Sequence, residues 1–226
     1  MIPLRDEIPT RQVPIINYLL IAANIGVFLL MWLAGPYQDA LVYQFAMIPA
    51  NFANGVDIGD VMDIFTSMFM HAGLAHIGGN MLYLWIFGDN VEDRMGHFRY
   101  LLFYLAGGMV ASLTHLLTNP NSPIPTVGAS GAIAAVLGAY LVCFPGSRIA
   151  TFIPLPLGIF YKLTMLPSAV VLGFWFIFQL FDGVATLGGP DVGGVAVWAH
   201  IGGFVAGMLM AMLFNQTRRS RSVVTW

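Results

Sequence analysis

The sequence predicts an all-α membrane protein, a polytopic bundle of six transmembrane helices with both termini in the cytoplasm, on three observations. Of its 226 residues, 58% are hydrophobic and only 9% charged, with a mean hydropathy of +0.78. Soluble globular domains carry roughly 25% charged residues. So few charges cannot cover a water-facing surface, which makes lipid the solvent for most of this chain. Six apolar stretches, about 15–35, 74–91, 99–118, 129–144, 167–181 and 196–214, approach the roughly 20 residues that a spanning helix needs. The nine Lys and Arg residues fall only in the termini and in alternate connections between these stretches.

The elements follow in order. The N-terminal "MIPLRDEIPTRQVP" is polar and broken by prolines, unlike a cleavable signal peptide, so the first span from about Ile15 is expected to remain in the mature chain. The connection from Pro36 to Asp63 is long and contains the apolar "LVYQFAMIPANF", which places it on the membrane surface. The fourth and fifth spans are short and read as helices shielded from lipid by their neighbours. Between them, "SRIATFIPLPLGIFYKLTML" carries Pro154, Pro156 and Gly158. These argue against one continuous helix and for an interfacial connection.

With six spans, Arg5, Arg11, Arg94, Arg99, Arg148, Lys162, Arg218, Arg219 and Arg221 all fall on one side. The opposite loops hold Asp39, Asp57, Asp60, Asp63, Asp182 and Asp191 and no Lys or Arg. The positive-inside rule assigns the basic side to the cytoplasm. A missing or additional span would scramble this segregation. No tandem repeat or linker divides the chain, so residues 1–226 read as a single membrane domain. The net charge of −2, without a basic patch, gives no support for a nucleic-acid partner. Cys143 is the only cysteine, which excludes an intrachain disulfide and a cysteine metal cluster. Its place in an apolar helix marks it as filler.

Polar groups at membrane depth are rare and usually functional. Here they are His71, His76, Asn80, His115, Ser130 and His200. Ala199, Gly203, Gly207 and Ala211 recur every four residues along the last span, and Gly131, Ala135 and Ala139 do the same along the fourth. Such small-residue stripes let two helix backbones approach closely. If the stripes face each other, Ser130 and His200 come within reach at equal depth, toward the extracytoplasmic side. A serine hydroxyl is a poor nucleophile until a base takes its proton, and histidine suits that task. No acid lies beside His200, Asp182 and Asp191 being in the preceding loop, so a Ser–His dyad is expected rather than a triad. His76 and Asn80, four residues apart, share a helix face. They read either as an interhelical bonding cluster or, with the Ser130 backbone N–H, as donors to an oxyanion. Ser130 alone reads more readily as packing than as catalysis, and it is its pairing with His200 at equal depth beside complementary stripes that favours the nucleophile.

The segments "HAGLAHIGGN" (His71–Asn80), "GASGA" (Gly128–Ala132) and "AHIGGFVAG" (Ala199–Gly207), in that order, resemble the rhomboid intramembrane serine proteases. "FGDNVEDRMGHFRYL" (Phe87–Leu101) is similar to their connection between helices 2 and 3, with Glu92, Gly96 and Arg99 at the recurring acid–glycine–arginine spacing. The resemblance covers nearly the whole chain and implies the minimal six-helix form. It implies Ser130 as nucleophile, His200 as general base, and His76, Asn80 and the Ser130 amide as the oxyanion site. Gly128 shapes the turn into the fourth span, and His71 is a supporting residue. Five residues from His76 is about 140° around a helix, so His71 is expected to face elsewhere. His115 matches no motif.

The implied activity is endoproteolysis of transmembrane segments of other proteins near the extracytoplasmic face of the cell inner (plasma) membrane, with no metal or other cofactor. The alternative is a non-catalytic rhomboid-like protein that binds membrane clients; such relatives usually lack the serine or the histidine. No H-E-x-x-H occurs for a metalloprotease, no two mid-membrane aspartates for an aspartyl protease, and no inverted repeat for a transporter. Two departures stand out. Some rhomboids have an aromatic residue one turn after the serine, against which the base stacks, and here that position is Ala134. The Trp–Arg pair that several bacterial members carry in the first loop is also missing. The glycine-rich Phe181–Trp198 segment reads as a lid over the site, and "FWFIFQLF" (Phe174–Phe181) as a side gate toward lipid.

Overall fold

A computed structural model describes residues 1–154, 161–186 and 195–222. Six long helices occupy the six apolar stretches: α1 (Ile15–Leu33), then, after two short helices, α4 (Leu74–Met95), α5 (His97–Thr118), α6 (Ser130–Cys143), α7 (Ser168–Thr186) and α8 (Val197–Ser222). The short ones, α2 (Gln38–Phe45) and α3 (Ile58–Thr66), lie in the long first connection. The chain is predominantly helical. Ile15–Leu33, His97–Thr118 and Ser168–Ala185 are long and apolar enough to cross a membrane by length and composition.

Helix α6 is the axis of the bundle. Every residue from Gly131 to Tyr140 is buried, which explains how a 14-residue helix exists in so apolar a chain: its neighbours form its surroundings. Its small residues let α5 and α8 close on it. A side-chain carbon placed at Gly107 of α5 would lie 2.5 Å from Ala135 Cβ, and one at Gly203 of α8 would lie 2.2 Å from the Gly131 carbonyl oxygen. The two stripes read in the sequence do meet. Helix α7 corrects an expectation. It is peripheral rather than shielded, with Phe174, Ile177, Phe178 and Phe181 all exposed on its outer face.

A second correction concerns the all-α expectation. Three strands, β1 (Ile2–Asp6), β2 (Arg148–Pro154) and β3 (Tyr161–Pro167), form an antiparallel sheet in the order β1-β2-β3. Ile2 pairs with Phe152 and Asp6 with Ile149, with an irregularity between Pro3 and Arg5. In β2, Ile149 and Thr151 are buried and their neighbours less so, the period-2 pattern of a half-buried strand. The sheet caps one end of the bundle. Asp6 accepts hydrogen bonds from Tyr140 Oη (2.6 Å) and Asn90 Nδ2 (2.7 Å), and burial pushes its carboxyl above the ordinary carboxylate range.

At the same end, Gly96 alone separates α4 from α5. Its φ of +84° is a left-handed conformation that glycine adopts without a Cβ penalty, and its N–H closes α4 on the Glu92 carbonyl at 2.7 Å. The Glu92 side chain, 1% exposed, accepts the Ile16 and Asn17 N–H groups at 3.0 and 2.7 Å and pairs with His97. The first turn of α1 has no cap of its own, so a carboxylate from α4 supplies it where the helix dipole favours negative charge. Charged hydrogen bonds contribute about 1.5–3 kcal/mol each, and the amide of Glu92→Gln has only one acceptor oxygen for the two N–H groups. That variant is expected to unfold at a clearly lower temperature in detergent, and an unchanged Tm would contradict this capping role.

The helices alternate in direction, which sorts the residues by end. Arg5, Arg11, Arg94, Arg99, Arg148 and Lys162 lie at the sheet end, whereas the starts of α4, α6 and α8 gather at the other. There the first connection packs as a plug: Met47, Ile64 and Met68 form a small apolar cluster, and the Thr126 N–H bonds to the Met47 carbonyl at 2.8 Å. Of the predicted lid, Phe181–Thr186 is the end of α7 and residues 187–194 lie outside the described residues.

Candidate active site

Ser130 is the first residue of α6. The turn delivering it depends on Gly128, whose φ is +131°. A Cβ there would lie 2.8 Å from His76 Nε2 and 3.6 Å from Ser130 Oγ, so a larger residue would both strain the backbone and fill the space the two side chains share. The Gly128 N–H is pinned to the Ser67 carbonyl at 2.9 Å. Ser130, as an opening helix residue, contributes one of the N–H groups that have no intrahelical partner and suit an anion.

A cavity of about 430 Å³ opens on this point and is lined by His76, Asn80, Ser130 and His200 together with the apolar Ile133, Ala134 and Leu137. The residues read from the sequence as nucleophile, base and oxyanion donors therefore line one cavity. His115 is not among its lining residues; it sits in the last turn of α5, beside Asn119.

His71 departs from expectation. It precedes α4, which begins at Leu74, so helical spacing does not govern it. Its ring packs edge-on against His76 with centroids 5.0 Å apart, and its Nε2 accepts a hydrogen bond from Asn80 Nδ2 at 2.9 Å. Asn80 has two amide hydrogens. One is held by His71, which leaves the other for the cavity.

The support of His200 comes from residues that sequence reasoning passed over. His200 is buried, 8% exposed, and Ala134 offers it no ring. Instead Trp175 of α7 lies 5.8 Å from it between ring centroids, at 36°. Gln179, one turn further along α7, accepts the His200 Nδ1–H through Oε1 at 2.7 Å. The signal was present: a lone carboxamide in "FWFIFQLF" is costly in apolar surroundings without a partner. Trp175 also packs on Phe204 at 5.8 Å, and Phe176 stacks on Phe204 at 4.6 Å, which docks α7 onto α8. Among the described residues, no three His, Cys, Asp or Glu side chains group as a metal site would need.

Fold and cavity define a helical membrane protein with a polar cluster enclosed among apolar helices. The family model described as the Rhomboid domain matches residues 59–217, and the chain belongs to the rhomboid family. It is 35% identical over 128 residues to the rhomboid protease GluP of Bacillus subtilis, covering 57% of this chain and 24% of that protein. It is 29% identical over 179 residues to the human mitochondrial presenilin-associated rhomboid-like protein, covering 77% and 45%. With the mitochondrial Rhomboid protein 1 of Saccharomyces cerevisiae it shares 27% over 186 residues, covering 80% and 52%. The matched region spans from about a quarter to about half of the length of these relatives.

Proposed function

We propose that this chain is an intramembrane serine endopeptidase that cleaves transmembrane segments of membrane proteins. The observation that carries this is the convergence of Ser130, His200, His76 and Asn80 on one cavity from three helices. His200 Nε2 takes the Ser130 proton as Oγ attacks the scissile carbonyl. The tetrahedral oxyanion accepts hydrogen bonds from the Ser130 N–H, His76 and Asn80. His200 then returns its proton to the leaving amine, and water hydrolyses the acyl-enzyme by the same steps. That the Bacillus subtilis relative GluP is a rhomboid protease agrees with this reading.

In this reading residues 1–226 form one six-span domain of a plasma membrane, and the sheet end, where the described basic residues gather, faces the cytoplasm. The site then lies toward the extracytoplasmic face. The test is cleavage of single-span reporter proteins by the purified chain in proteoliposomes, with the products mapped by mass spectrometry. Cuts inside or at the edge of the spanning segment support the proposal. Binding of the reporters without cleavage supports the client-binding alternative.

Within the same assay, His76→Ala and Asn80→Ala are each expected to lower kcat by roughly 100-fold or more with little change in KM, because the oxyanion exists only along the reaction path. A rise in KM at unchanged kcat would make these residues substrate anchors instead.

A further inference from the structure

We propose that Gln179 is the positioning residue of the base: its Oε1 holds the His200 Nδ1–H, which leaves Nε2 as the nitrogen free to take a proton in the cavity that Ser130 also lines. This rests on the proteolytic reading above, in which His200 takes the serine proton. A neutral imidazole carries its proton on either nitrogen, and only the tautomer protonated on Nδ1 has Nε2 free to act as a base. Among the described residues the group hydrogen-bonded to His200 Nδ1 is a carboxamide, not a carboxylate, so the carboxamide must select that tautomer. The 2.7 Å contact to Gln179 does so, because a carboxamide oxygen accepts and never donates. When Nε2 takes the Ser130 proton, the imidazolium keeps its Nδ1–H on the same oxygen. No proton passes to the glutamine.

Geometry gives the contact its strength. Trp175 and Gln179, four residues apart, lie on one face of α7, and Trp175 packs beside the same imidazole. One helix face thus supplies both a ring to restrict tilt and an acceptor to fix rotation. The outer face of that helix is exposed and apolar, with Phe178 at 53%, whereas Gln179 is turned inward onto its partner. Ala134, the position at which an aromatic on α6 would brace the base, lines open cavity instead. The bracing function has moved to α7.

The experiment compares wild type, Gln179→Leu and Gln179→Glu, in kinetics and in 15N spectra of histidine-labelled protein in detergent. Gln179→Leu is expected to lower kcat by roughly 10–100-fold, by analogy with the loss when the hydrogen-bond partner of a metal-ligating histidine is removed, with KM within about twofold of wild type. Its His200 should show both tautomers where wild type shows only the Nδ1–H form. Gln179→Glu, which restores an acceptor oxygen, should recover most of kcat and the single tautomer. Wild-type kcat and an unchanged tautomer in Gln179→Leu would overturn the assignment, as would a folded Gln179→Glu protein no better than Gln179→Leu. If wild type cleaves nothing, the proteolytic reading fails by itself, and the tautomer comparison still decides whether Gln179 sets His200.

Discussion

Ser130→Ala is expected to abolish cleavage of a membrane-spanning substrate, and His200→Ala to do the same, in proteins that still fold. The two effects should be alike and should not add, because the hydroxyl and the imidazole act as one unit. Where a serine and a histidine form such a unit, losing either can cost roughly a million-fold in kcat, about as much as losing both. Neither variant should disturb the bundle. Ser130 lines the cavity and removing its oxygen leaves α6 unchanged, and His200→Ala leaves Gln179 without its partner, a local cost that does not touch the glycine seam. Thermal unfolding within a few degrees of wild type, together with residual activity below about 1%, is the expected pair of results. Residual cleavage by Ser130→Ala at a few percent of wild type or more would remove the serine from the chemistry.

The second large effect is mechanical. Gly203→Val and Gly207→Val are expected to impair folding and activity together. A Cβ at Gly203 would lie 2.2 Å from the Gly131 carbonyl oxygen, and one at Gly207 would lie 2.0 Å from the Ala135 carbonyl oxygen. These are backbone atoms of the most buried helix, so no side chain can rotate aside. Overpacking a core typically costs about 1–3 kcal/mol, and a contact that only separation of two helices relieves belongs at the upper end or beyond. Separation also draws His200 away from Ser130, since both sit at the first turn of that seam. A stable and fully active Gly203→Val protein would contradict the close α6–α8 packing. Expression yield, Tm and kcat measured on one preparation distinguish the outcomes.

The helices and much of the candidate site were legible in the sequence because lipid simplifies the code. Long apolar runs, segregated basic residues and small-residue stripes each have one dominant physical cause, and the α6–α8 seam follows from them. The sheet was not legible for a reason equally physical. Its strands lie outside the apolar spans, and β1 is only five residues long with its partner β2 more than a hundred residues away. The local β2–β3 pairing falls in the proline-broken stretch that reads only as an irregular connection. His71 was misplaced because helical spacing was extended three residues beyond the true start of α4. The burial of α6 and the exposure of α7 could not be told apart by length, since both are short apolar runs; which one sits at the centre depends on glycine contacts from two other helices. Gln179 was missed among aromatic residues, although its isolation there was the clue. The Glu92 cap was visible only as an acid–glycine–arginine spacing, and its partners, two backbone N–H groups of α1, carry no sequence signature.

The measurement that bears most directly on the central claim is labelling of the purified protein with a fluorophosphonate, followed by mass mapping of the modified residue. Such a probe reacts with an activated serine hydroxyl and needs no knowledge of the substrate. A single adduct on Ser130 is predicted, absent in Ser130→Ala and strongly slowed in His200→Ala. No adduct on the folded wild-type protein, or an adduct that persists in Ser130→Ala, would contradict the account.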